Sequence, residues 1–259
     1  IPSRLVGSEM CIRDRNNRGT DPENVEILEE RPNPDNPLVH PEFMGLVNFA
    51  KSNDMNDSVY FDTIAARVDL FNFAEYFILE TYLNNYDWPK KNLRFWREKT
   101  DTARWRYLFY DLDISLNRLP EAFYNQDILG LRLDSISDSI SHVSLFRSLM
   151  ENRPFRRYFI NRYADLINST FLPENFLQKL EETVTMTAPE MPRHFEKWGR
   201  DMMLWEVQVI ENRVEAFIEN RPQFARHYLE EYFNLAGQVN LTIKVKPPVG
   251  GRAQISTLT

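Results

Sequence analysis

Two aromatic extended segments set beside a long helical period constrain this chain most. Leu93-Arg-Phe-Trp-Arg97 and Arg104-Trp-Arg-Tyr-Leu-Phe-Tyr110 alternate with the period of a strand, and a polar turn, Lys99-Thr-Asp-Thr102, separates them. They predict a β-hairpin. Before it, Leu70, Phe73, Phe77, Ile78 and Thr81-Tyr82 recur at helical spacing, with Asp69 placed as an N-cap and Asn84-Asn85 as a stop. Shorter helices are expected over 43–52 and from Phe61 to Val68, and further helices over 143–152, 155–169, 173–187 and 201–232. Pro154 and Pro173 sit at helix starts, and Pro222 is expected to kink or divide the last segment. Residues 16–42, rich in Pro and Asn, read as surface loop, and 114–142 as mostly irregular. The fold class that follows is α+β, mostly helical.

Composition narrows the function classes. No apolar run approaches the roughly 20 residues that cross a bilayer, so no transmembrane segment is expected. A net charge of −7 argues against a general nucleic-acid binder and suits a basic partner. The single Cys11 excludes an internal disulfide, and the four histidines show no metal-ligand spacing. Residues 1–15, which contain that cysteine, resemble translated sequencing adapter and are set aside as an artefact. Residues 16–235 are expected to form one domain. Val239 to Lys246 alternates like a strand and Ala253-Gln-Ile-Ser opens another, so 236–259 is expected to begin a C-terminal β-domain. On this reading the chain is a fragment truncated at both ends.

The chemistry-bearing block is Asn84-Asn-Tyr-Asp-Trp-Pro-Lys-Lys-Asn-Leu93, then the hairpin, then Tyr110-Asp-Leu-Asp113. Asp87 and Asn92 stand as D-x-x-x-x-N in a loop after a helix. A hairpin that leads away and returns brings Asp111 and Asp113 back toward that loop. Phosphoryl transfer uses such an order: one carboxylate for the acceptor hydroxyl, an amide oxygen and a second carboxylate for Mg²⁺. Lys90, Lys91 and Arg94 offer charge to phosphates, although a solvated basic patch is the commoner meaning of such residues. Trp88 and Trp96 read as packing.

These residues carry a resemblance to the CotH kinase family, the spore coat protein H-like atypical protein kinases. The run Asn85-Tyr-Asp87-Trp88-Pro-Lys-Lys-Asn92, the aromatic strands and Tyr110-Asp111-Leu-Asp113 match its pattern, as do Phe195-Glu-Lys-Trp198 and Ile210 to Phe217 with Arg221. The resemblance implies a protein-kinase-like catalytic lobe with the hairpin between catalytic loop and metal-binding Asp-x-Asp. It also implies Mg²⁺- and ATP-dependent phosphorylation of Ser or Thr on a protein substrate, in a spore-coat, extracellular or cell-envelope setting. By carry-over Asp87 is catalytic, and Asn92 with one or both of Asp111 and Asp113 holds the metal; Lys90 and Lys91 are the candidates to bind ATP through its phosphates. No Gly-rich loop or phosphate-gripping lysine stands upstream, where Lys51 is the only lysine before Lys90. The nucleotide-covering lobe is therefore expected to be missing, and this fragment to bind ATP poorly. The alternatives are a non-catalytic surface or envelope binding module on the same scaffold, and, more weakly, a Mg²⁺-dependent hydrolase.

Overall fold

The computed structural model describes residues 22–30, 40–134, 140–198, 204–239 and 242. The strands read from the C-terminal residues lie, apart from Val239 and Thr242, outside them. The molecule is a mostly helical α+β protein with a three-stranded antiparallel sheet. Its chain divides into two compact units. The first runs to Glu80 and adds Asp87–Asp111 and Arg132–Arg157; the second comprises Thr81–Tyr86, Leu112–Leu131 and the chain from Tyr158 onward.

The first unit holds the sheet, in order β1 (Val25–Glu30), β2 (Leu93–Glu98), β3 (Arg106–Leu108). The hairpin β2–β3 forms as its alternation predicts, with Phe95 opposite Tyr107. β1 corrects the expectation of loop over 16–42. Val-Glu-Ile-Leu-Glu-Glu carries too much charge to read as a strand, yet its partner supplies the complement. Glu29 lies opposite Arg94 and Glu26 opposite Arg97, with ion pairs at 2.9 and 3.0 Å. Arg97 also meets Glu42 at 2.6 Å, and hydrogen bonding to Glu42 is the largest cause raising its guanidinium above the ordinary range.

Helices cover this sheet with aromatic residues. α1 (Pro41–Ser52) starts on a proline and buries Phe43, Val47 and Ala50, one face at helical spacing. α2 (Ser58–Ala65) is capped by Asp57, whose Oδ1 accepts from the Val59 amide at 2.8 Å. α3 (Leu70–Tyr82) begins at Asp69, as expected, with the Asn72 amide donating to Asp69 Oδ1 at 3.3 Å. α4 (Ser141–Glu151) brings Phe146 onto Phe77, ring centroids 4.7 Å apart, and His142 onto Phe43 at 4.5 Å. Tyr107 Oη and His142 Nδ1 share a hydrogen bond of 2.6 Å inside this cluster.

α5 (Arg153–Ile167) crosses the boundary between the units, as α3 does. The second unit continues with α6 (Pro173–Thr187), α7 (Met191–Trp198) and α8 (Leu204–Phe233). Tyr82 stacks on Phe171 with centroids 4.1 Å apart, and Phe159 packs near Phe233 at 5.9 Å. α7 was not legible in the sequence. Of the two outcomes expected at Pro222, a kink or a division, the division does not occur: α8 runs through it as one helix. A proline interrupts the backbone ladder, but here bonds from side chains on both sides, Arg221 and Tyr228, hold the segment down.

Candidate functional site

The site segment starts where α3 stops. Asn84 has φ 55°, the left-handed conformation that asparagine tolerates and most residues avoid. It turns the chain out of the helix, and its Nδ2 donates to the Phe123 carbonyl at 2.7 Å. Two backbone bonds continue the anchoring: Leu116 N to Leu83 O at 3.4 Å and Tyr86 N to Ile114 O at 2.9 Å. The residue before Asp87 is thus tied to the residue after Asp113.

Asp87 opens the loop and is half-buried. Trp88 beside it is fully buried, edge-on to Phe77 at 5.2 Å and to Tyr76 at 6.3 Å, so the packing role read for it holds. The Trp88–Pro89 peptide is cis. Lys91 N donates to Asp87 O at 3.0 Å, and Lys91 Nζ stands 3.7 Å from Asp87 Oδ2. Lys90 is exposed. Asn92, half-buried with φ 59°, hands the chain to β2.

The hairpin register returns the chain to this point. Arg94 pairs with Leu108 and Trp96 with Arg106, so the start of β2 and the end of β3 share one end of the hairpin. Arg94 lies over the Tyr110 ring at 4.4 Å, which seals that end. Asp111 follows, exposed and also left-handed at φ 59°. The structure therefore brings Asn92 and Asp111 to one end of the hairpin and Lys91 onto Asp87. Asp113, also exposed, belongs to the second unit.

At the foot of α3 an ion pair braces the same hairpin: Arg106 Nε meets Asp69 Oδ2 at 2.9 Å. Burial pushes the Asp69 carboxyl up. The Arg106 hydrogen bond, the Asn72 amide and the charges of Arg106 and Arg104 outweigh it, and the net shift is downward.

The donors at the hairpin end are a carboxylate and an amide oxygen, and residues 84–113 hold neither His nor Cys. Such hard oxygens suit Mg²⁺, which takes one or two protein ligands and keeps waters and phosphate oxygens for the rest. Among the described residues no three His, Cys, Asp or Glu side chains gather as an all-protein metal cluster, and no helix is long and apolar enough to cross a membrane.

Two residues that serve this segment were not assigned a role from the sequence. Asn72 bonds the Tyr107 backbone from α3. Arg221 is buried on the stripe Phe217, Arg221, Ala225, Leu229 of α8. Its signal was a charged residue on the apolar face of a helix.

The chain is a mostly helical α+β protein with a small antiparallel sheet. The family model for CotH kinase protein matches residues 28–225, and the chain belongs to that family. No curated protein and no solved structure matches it.

Proposed function

We propose that this chain is the catalytic part of a phosphotransferase acting on Ser or Thr hydroxyls of a protein acceptor. The observation that carries the reading is the hairpin register, which sets Asn92 and Asp111 at one end of β2–β3, next in sequence to the loop of Asp87. Mg²⁺ with ATP supplies the activated γ-phosphoryl group and neutralises its charge. Asn92 Oδ1 and the Asp111 carboxylate would hold the metal, and the sequence pattern gives Asp113 the same role. The Asp87 carboxylate orients the acceptor hydroxyl and takes its proton. The acceptor oxygen–phosphorus bond forms as the bond to the ADP oxygen breaks. Lys91, held 3.7 Å from Asp87, places positive charge where the transferring group carries negative charge. Lys90 adds a second cation beside it.

The test is transfer of γ-labelled phosphate to a basic protein with Mg²⁺. It compares the wild type with Asp87→Asn, Asn92→Ala, Asp111→Ala and Asp113→Ala. Loss of general-base action lowers kcat about 10²- to 10⁴-fold in Asp87→Asn. Asn92→Ala and Asp111→Ala raise the Mg²⁺ concentration needed for half-maximal rate. A folded Asp87→Asn variant that transfers phosphate at the wild-type rate would refute the reading.

A further inference from the structure

Arg221 brings a permanent positive charge into the interior of the second unit, where it is 2% exposed. Its guanidinium donates to four backbone carbonyls. Nη2 reaches Thr81 O at 2.7 Å and Nε reaches Tyr82 O at 2.8 Å. Nη1 reaches Tyr124 O at 2.7 Å and Gln126 O at 2.9 Å. The first two are the last residues of α3, at the negative end of the helix. The other two belong to the segment that follows Asp113. One side chain on α8 therefore joins the end of the helix that leads into Asp87 to the chain that leads away from Asp113.

Burial pulls the guanidinium below its ordinary range, and Tyr163, Tyr82, Tyr228 and Asp127 pull it back. An arginine is placed in such surroundings only when its donors are filled. A lysine has no planar fork and cannot reach four acceptors in two directions.

We infer that Arg221 is a positioning residue for the loop that carries Asp87. The inference rests on the function proposed above and deepens it. Thr81–Tyr86 is held at three places: by Arg221 on its first two carbonyls, by Asn84 on Phe123, and by the Tyr86 amide on Ile114. The last of these is one residue from Asp87. With the guanidinium removed, the final turn of α3 loses two of the bonds that hold it, and the exit direction of the chain toward Asp87 is less firmly fixed. Arg221 touches no reacting atom. Its effect passes through backbone geometry, where a displacement of about 1 Å at a catalytic group costs on the order of 100-fold in rate.

The experiment uses the whole chain and compares the wild type with Arg221→Lys and Arg221→Met. Leu229→Ala, on the same buried stripe, is the control for general destabilisation. Amide hydrogen exchange is read by peptide, and labelled-phosphate kinetics are run on the same samples. Both Arg221 variants should exchange about tenfold faster over 81–87 and 114–126, with β1–β3 unchanged. Their kcat should fall about 100-fold, with KM for ATP within about twofold of wild type. Leu229→Ala should leave kcat per folded molecule unchanged. Exchange over 81–87 equal to wild type, or a kcat loss matched by Leu229→Ala, would overturn the inference. If the variants fail to fold, the wild type decides: a Tyr86 amide exchanging at the unprotected rate overturns the inference, and one among the slowest of the second unit supports it. A wild type with its upstream coding sequence restored that transfers no phosphate while the exchange contrast persists refutes the kinase reading and leaves the loop-holding role standing.

Discussion

Asn72→Ala tests whether a single carboxamide joins α3 to the hairpin. Tyr107 N donates to Asn72 Oδ1 at 2.5 Å, and Asn72 Nδ2 donates to Tyr107 O at 3.2 Å. β2 pairs with β3 from the opposite edge, so the Asn72 side chain stands where a further strand would. Tyr107 is 4% exposed. Truncation leaves two backbone groups of that residue without partners, each costing about 1–3 kcal/mol when buried. Both bonds are only part-buried, so water recovers some of this, and the expected net loss is about 2–4 kcal/mol. Urea titration followed by tryptophan fluorescence, with Trp198 and Trp205 of the second unit replaced by Phe, reads the first unit through Trp88, Trp96 and Trp105. At a slope of about 2 kcal/mol/M the midpoint falls by about 1–2 M. Asn72→Asp keeps the acceptor for the Tyr107 amide but sets a second oxygen against the Tyr107 carbonyl, so it should recover little. A loss below about 0.5 kcal/mol in Asn72→Ala, within the range of ordinary surface substitutions, would refute the reasoning. So would an Asn72→Asp variant as stable as wild type.

Two further expectations concern the same unit. The Asp69 carboxyl titrates below its ordinary value of 3.8, so its contribution is present above that value and is lost as pH falls through the folded value. The stability difference between wild type and Asp69→Asn should be constant near neutrality and shrink as pH is lowered below 3.8; a difference independent of pH contradicts the pairing with Arg106. Asn152 caps α5 by accepting from Phe155 N at 2.9 Å, and donates to the buried Met55 carbonyl at 2.8 Å. Asn152→Ala should cost about 2–4 kcal/mol, and Asn152→Ser, which caps but does not reach Met55, about half as much. Equal losses in the two variants, measured by urea unfolding, would remove the cap from the account.

What the sequence revealed was set by how local each cause is. The hairpin was legible because alternation and a polar turn define it within 18 residues, and α3 because Asp69 and its apolar stripe lie side by side. That Asn92 precedes β2 and Asp111 follows β3 at the same end of the hairpin was readable from that hairpin. β1 was not, because it forms by pairing with β2, whose Arg94 and Arg97 complement Glu29 and Glu26 from a place remote in sequence. Continuity of α8 through Pro222 was hidden for the same reason. Its flanking residue Arg221 bonds carbonyls as far off as Thr81. The allocation of Asp111 and Asp113 to different units is likewise a product of long-range packing, which a two-residue spacing does not encode.

The left-handed residues join these levels. Asn84, Asn92, Asp111, Leu116 and Asn117 have φ between 53° and 63°, the first three inside the segment that carries the candidate site and the last two just after it. Glycine would adopt that conformation at no steric cost, yet the chain has none between Gly45 and Gly130. The side chains explain the choice at two positions. Asn84 bonds the Phe123 carbonyl, and Asn117 both accepts from Tyr124 N at 2.8 Å and donates to Arg213 O at 3.0 Å. Glycine there would keep the turn and lose the bonds that hold it. At Asn92 and Asp111 the same conformation presents an amide and a carboxylate at one end of the hairpin. Strain of this kind persists where surrounding structure over-determines it. In this molecule Asn84 and Asn117 help supply that surrounding structure within the second unit, and Asn92 and Asp111, the candidate ligands, belong to the first.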